Sequence, residues 1–175
     1  MKQGLTHVYT GNGKGKTTAA LGLLLRAYGR GMLVALVQFL KGRVSGEVCA
    51  LENLPGITVF RYARDYGFYK TASEQDRQEM ARLNNIYLTE SFRLAKDGLC
   101  GLLILDEIFA AYNNKAIDTQ LADKLILNKP PDLELVLTGR NAPQHFTRAA
   151  DYVTEFVKRK HPYDIGITSR EGIEF

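Results

Sequence analysis

Apolar positions along the chain fall into short solid blocks separated by stretches with helical spacing. Residues 6–9 form a brief β-prone run that ends in a glycine-rich loop. Lys16–Tyr28 carries Ala and Leu on every face, which predicts a buried helix stopped by Gly29 and Gly31. Residues 33–40 read as a continuous apolar strand, the pattern of a parallel strand covered on both faces. Ile57–Phe60 is another strand candidate. Ser73 has the look of a helix N-cap with Asp76 three residues on, and Met80, Leu83 and Tyr87 share one face of the helix that follows, up to Gly98. Residues 102–105 form an apolar strand running into Asp106 and Glu107. A helix is expected around residues 117–127, before Pro130 and Pro131, and Glu134–Thr138 is the next strand. Residues 152–157 alternate and read as a last strand, while the turn-rich stretch 161–175, with Pro162 and Gly166, has no clear assignment.

Strands spaced by helices predict a single α/β domain over residues 1–175, a mostly parallel sheet with helices on both faces. Ligands of such sheets bind at the carboxyl ends of the strands, which says where to look. Composition changes the picture little: 45% hydrophobic and 24% charged residues are ordinary for a globular protein. The net charge of +4 suits a polyanionic small molecule as well as nucleic acid, but the short cluster Lys158-Arg159-Lys160 is no nucleic-acid tail. Cys49 and Cys100, both in apolar surroundings, read as buried thiols of a reducing compartment, so a cytoplasmic location is expected. No apolar run approaches the roughly 18 residues of a membrane span, and no membrane association is expected.

Candidate chemistry begins where the first strand meets the first helix. Thr10-Gly11-Asn12-Gly13-Lys14-Gly15-Lys16-Thr17-Thr18 has the strand–loop–helix setting of a phosphate-binding loop. Glycines let backbone N–H groups turn toward a polyphosphate, and the helix N-terminus adds its positive dipole end. Lys16 is placed to reach a phosphate oxygen and the Thr17 hydroxyl to bind Mg²⁺. The strict pattern has Gly six places before the lysine, where this chain has Thr10. Asp106 and Glu107, at the end of a buried strand, set carboxylates where a metal held by Thr17 could be completed. Arg140, in Thr138-Gly139-Arg140-Asn141, faces the same strand ends as a phosphate partner or is a turn arginine at the surface.

A phosphate loop names a ligand and not a reaction. Further segments, in order along nearly the whole chain, resemble the ATP:corrinoid adenosyltransferases. These are Val37-Gln38-Phe39-Leu40-Lys41-Gly42, Ser45-Gly46-Glu47, Gly67-Phe68, residues 103–108, residues 137–141, Lys160-His161 with Asp164 and Gly166, and Gly172-Ile173-Glu174-Phe175. The resemblance implies a RecA-like P-loop fold and a homodimer. It implies ATP as co-substrate with Mg²⁺ (or Mn²⁺), a reduced corrinoid as substrate, and an electron donor such as a flavoprotein. In that family Co(I) attacks the 5′-carbon of ATP and tripolyphosphate leaves, with ATP lying reversed along the loop. Carried over, Gly11, Asn12, Gly13, Lys14, Gly15, Lys16, Thr17 and Thr18 hold the triphosphate, with Gln38, Lys41, Glu47 and Arg140 around it. By the same likeness Lys16 and Glu107 act in catalysis, and Thr17, Asp106 and Glu107 serve the metal. Phe68 faces the corrin and helps displace its lower axial ligand. Where the family loop continues Thr-Trp this chain has Tyr69-Lys70, so the second aromatic falls to Tyr69.

Two other classes fit the phosphate loop alone: an NTPase or small-molecule kinase, in which Glu107 positions a water or hydroxyl, and a RecA-like DNA-binding module. The Gly67-Phe68 loop and the C-terminal signature weigh against the first, and the short chain without a long basic stripe against the second. His7 reads as a strand residue, and His161 as a structural hydrogen-bonding group or a ligand contact.

Overall fold

The computed structural model describes residues 3–43 and 45–174 of the chain. Six strands, β1 (Thr6–Thr10), β2 (Val34–Gln38), β3 (Ile57–Phe60), β4 (Leu102–Asp106), β5 (Glu134–Thr138) and β6 (Tyr152–Glu155), form one sheet in the order β3-β2-β4-β5-β1-β6. Every pairing is parallel, so all carboxyl ends lie on one side. The helices are α1 (Lys16–Tyr28), α2 (Gly46–Leu51), α3 (Glu74–Lys96), α4 (Ile108–Asn113), α5 (Thr119–Leu127) and α6 (Gln144–Ala149), with a one-turn 3-10 segment at Pro162–Ile165.

Both faces of the sheet's centre are covered, as parallel strands require, while the edge strand β6 is exposed at all four positions. Val34, Leu36, Leu102, Ile104 and Val136 point to one face, under Ala20, Leu21 and Leu24 of α1 and Leu51 of α2. Ala35, Val37, Leu103, Leu105, Leu135 and Leu137 point to the other. There they meet Leu88 and Phe92 of α3, Phe109 of α4, Ile126 of α5 and Phe146 of α6. The α/β fold expected from the element order is therefore present, with the acidic strand β4 separated from the loop strand β1 by β5.

Several local expectations change. α1 is not buried all round: Ala20, Leu21 and Leu24 are inside while Leu25 is 51% exposed. Ala20, Leu21 and Leu24 form a stripe on the sheet, and Leu25 faces outward. The strand predicted over residues 33–40 shortens to Val34–Gln38, because Leu40 takes a left-handed conformation (φ 56°) that ends the extended chain. Residues 152–157 shorten likewise to Tyr152–Glu155. Helix α5 starts at Thr119 because Asp118 caps it, accepting from the N–H groups of Gln120 and Leu121. The Ser73 cap is as the pattern predicts, with the Asp76 N–H donating to Ser73 Oγ at 3.1 Å.

Cys100 is buried as expected and Cys49, on the outer side of α2, is not. Burial pushes the Cys100 thiol up to about 11, so it carries no thiolate at neutral pH. An aromatic disulfide reagent is expected to modify one thiol of the folded protein and two after denaturation. Two fast equivalents in the native state would contradict this packing.

Candidate functional site

The carboxyl ends of β1, β4 and β5 meet in one constellation. The loop after β1 turns through Gly11 (φ 96°) and Gly15 (φ 112°), conformations that a side chain disfavours. Gly13 is required for a different reason, since a Cβ there would lie 2.8 Å from the carbonyl group of Phe156. Its N–H donates to that carbonyl at 2.6 Å, so the chain after β6 supports the loop from outside. Lys16 opens α1 and folds back, its Nζ donating to Gly11 O at 2.9 Å and Gly13 O at 2.8 Å. Burial lowers its pKa, with Glu107 opposing and Arg140 adding to the drop. Such a partly desolvated ammonium gains much from an anion.

Asp106 lies at the centre, fully buried. Its Oδ1 accepts from Thr17 Oγ1 and Thr138 Oγ1, both at 2.8 Å, and its Oδ2 from Lys41 Nζ at 2.6 Å. Burial presses the Lys41 ammonium downward, but the charge and hydrogen bond of Asp106 outweigh it and raise its pKa. Lys41 also stands 3.4 Å from Thr17 Oγ1, so its ammonium holds the cation position beside that hydroxyl. Glu107 follows in a left-handed conformation (φ 60°, ψ 25°) that turns β4 into α4, its N–H donating to Thr138 Oγ1 at 3.0 Å. Burial first, and then the neighbouring Asp106, raise its carboxyl above the usual range.

Lys16, Thr17, Lys41 and Glu107 border an open cleft of about 760 Å³. Asn12, Gly13, Lys14, Gly15, Lys16, Thr17, Thr18, Lys41, Glu47, Glu107 and Arg140 line it, and so do His161 and Glu174. A smaller hollow of about 330 Å³ adjoins, walled by Leu40, Asp65, Gly67 and Phe68, and it shares Lys41, Glu47 and Glu174 with the cleft. Phe68 is 85% exposed on its rim.

Most of the predicted residues thus come together, with four departures. Asp106 is fully buried, does not itself line the cleft and meets it through Thr17 and Lys41. Gln38 pairs in register with Asp106 but is 1% exposed and buried beside it, so it does not line the cleft. Its Nε2 has no hydrogen-bond partner among the described residues. Tyr69 packs against the core under the other face of the sheet and gives the hollow no second aromatic. Gly11 shapes the loop by its φ and presents its carbonyl to Lys16. Sequence reasoning missed Thr138 as a hydroxyl linking Asp106 to the Glu107 backbone; a threonine closing an apolar strand before a glycine was the available signal. Glu174 was also missed, and no local pattern announces a contact made across 160 positions.

The donors fit a magnesium ion. The Thr17 hydroxyl gives its proton to Asp106 and meets the Lys41 ammonium only at a long 3.4 Å, and Glu107 stands on the same cleft. Among the described residues no group of three or more His, Cys, Asp or Glu could hold a metal unaided. Mg²⁺ needs no such cluster, being bound in nucleotide sites through one or two carboxylates, waters and phosphates. No helix of the described residues is long and apolar enough to cross a membrane.

A family profile described as ATP:corrinoid adenosyltransferase BtuR/CobO/CobP matches residues 2–175. A Pseudomonas aeruginosa protein named corrinoid adenosyltransferase is 37% identical over 177 residues, covering 99% of this chain and 85% of its own. One from Sinorhizobium is 35% identical over 176 residues, covering 99% and 81%. The Salmonella typhimurium protein named corrinoid adenosyltransferase CobA is 33% identical over 178 residues, covering 99% and 87%. The chain belongs to the ATP:corrinoid adenosyltransferase family.

Proposed function

We propose that this protein transfers the 5′-deoxyadenosyl group of ATP to the Co(I) centre of a reduced corrinoid and releases tripolyphosphate. The observation that carries the reading is the pair of adjoining hollows. One is lined by phosphate-binding groups, and the other presents an apolar ring, Phe68, to solvent. An NTPase needs only the first.

The cobalt electron pair forms the new bond to the 5′-carbon, and the carbon–oxygen bond breaks with its electrons passing to the leaving phosphate. No proton moves at the carbon, so no general base is needed. The loop N–H groups, Lys16, Lys14 and Arg140 hold the triphosphate and meet the charge that develops on it. Thr17, Asp106 and Glu107 would hold Mg²⁺ (or Mn²⁺), which when bound neutralises part of the leaving charge. Lys41 holds Asp106 in place through its 2.6 Å hydrogen bond. Phe68 faces the corrin and keeps its lower axial ligand away, favouring the four-coordinate cobalt that reaches Co(I). The electron comes from an external donor such as a flavoprotein. A homodimer in the cytoplasm, acting without nucleic acid, completes the reading.

Phosphorus NMR after anaerobic incubation with ATP, Mg²⁺ and reduced corrinoid tests the reaction. Linked tripolyphosphate and a light-sensitive alkylcobalt spectrum are expected; ADP or orthophosphate without that spectrum would mean an NTPase or kinase. Phe68→Ala removes an exposed ring, so folding and ATP affinity are expected to stay unchanged. Turnover is expected to fall by about tenfold or more when cobalt is reduced on the enzyme. Equal loss with corrinoid reduced beforehand would remove Phe68 from ligand displacement.

A further inference from the structure

The C-terminal segment folds back onto the phosphate loop. Lys14 Nζ donates to Glu174 Oε1 at 2.8 Å. The same carboxylate accepts from the Arg170 N–H at 2.9 Å, from its Nε at 3.2 Å and from its Nη2 at 3.1 Å. The Glu174 N–H closes the turn on Arg170 O at 2.9 Å. The Arg170 side chain above all, and then Lys14, hold the Glu174 carboxyl down to about 2, so it is an anion at any working pH. Glu174 is also one of three residues shared by the phosphate cleft and the Phe68 hollow, with Gly172 and Ile173 beside it on the cleft wall.

A carboxylate and a phosphate present the same chemistry to an ammonium: anionic oxygens at hydrogen-bond distance. Glu174 therefore stands on Lys14 as a phosphate oxygen would. Arg170 and Glu174 are four residues apart and move as one piece, whereas the Lys14 contact joins that piece to the loop. That contact is one exposed ion pair, with Lys14 half exposed, and a triphosphate carries more charge than it can offer.

We propose that Glu174 latches residues 170–174 onto Lys14, and that a bound triphosphate takes Lys14 from it and frees the segment from the edge shared by the two hollows. Occupation of the phosphate loop then opens the border across which the 5′-carbon must meet the corrinoid, so ATP binding precedes a productive corrinoid fit. The latch itself needs only a polyphosphate; the adenosyl-transfer reading enters where ATP and corrinoid are named.

Tripolyphosphate binding to the full chain, measured by titration calorimetry, is expected to be about threefold to fivefold tighter in Glu174→Gln than in wild type, the size an exposed ion pair carries. The same substitution in a Lys14→Met background is expected to change nothing. A gain that persists there would be a general effect of removing negative charge and would overturn the latch, as would equal affinity of wild type and Glu174→Gln. Trypsin cleavage after Arg170, followed by intact mass, is expected to accelerate with tripolyphosphate in wild type, to ignore adenosine, and to be fast without ligand in Glu174→Gln. Cleavage indifferent to saturating tripolyphosphate overturns the proposal. The calorimetry and proteolysis use no corrinoid, so the latch and the adenosyl transfer fail separately.

Discussion

Lys16→Ala is expected to weaken ATP binding by about 100-fold or more and to leave no measurable adenosyl transfer. The ammonium is held at the cleft by two loop carbonyls and has few waters to lose, so a phosphate oxygen replaces those partners at little solvation cost. The folded state loses less. Gly11 O and Gly13 O can take water from the open cleft, and Tm is expected to fall by no more than about 2–4 °C, the equivalent of roughly 1 kcal/mol for a domain of this size. Calorimetric ATP titration together with a thermal melt checks both. Wild-type affinity in a folded variant would dismiss the phosphate-loop assignment.

Asp106→Ala is expected to damage stability and ion binding together, which separates it from Lys16→Ala. Three donors converge on this carboxylate, from Thr17, Thr138 and Lys41. Breaking a buried ion pair costs about 3–5 kcal/mol. Because the Lys41 side chain is 33% exposed and can be rehydrated, a loss of roughly 2–3 kcal/mol is the better expectation. That corresponds to a Tm lower by about 5–10 °C. Mn²⁺ binding in the presence of ATP, read by electron spin resonance, is expected to disappear. Asp106→Asn keeps the shape and an acceptor for both hydroxyls, so it should recover much of the stability but not the ion. An Asp106→Asn variant with unaltered Mn²⁺ binding would take the acid out of the metal site.

The phosphate loop, the acidic strand end and the alternation of strands and helices were legible because each is local. Glycine spacing, a Gly-Lys-Thr end and an apolar run closing in two acids are written within a few residues. The face on which each side chain emerges is not written there. Gln38 falls on the buried side beside Asp106, and Tyr69 turns into the core while Phe68, its neighbour, turns out. Three short helices, α2, α4 and α6, span six residues each and are too brief to show a period, so the pattern passed over them. Thr138 became visible only when β5 was seen inserted between the loop strand and the acidic strand, which puts its hydroxyl at Asp106. The role of the tail depends on a fold-back that no spacing rule reports.

Glu107 stands at a position the fold itself would fill otherwise. Its backbone is left-handed, a conformation that costs a side-chain-bearing residue about 1 kcal/mol and that glycine or asparagine adopts readily. Its carboxyl is half-buried next to Asp106, which makes the ionised form harder to keep. Both terms set thermodynamic fitness against glutamate here. Any search for a more heat-resistant variant would be drawn to this residue early and, under the proposed function, would gain its degrees at the expense of chemistry, because the tension at Glu107 is stored where that function has the ion and the triphosphate bind.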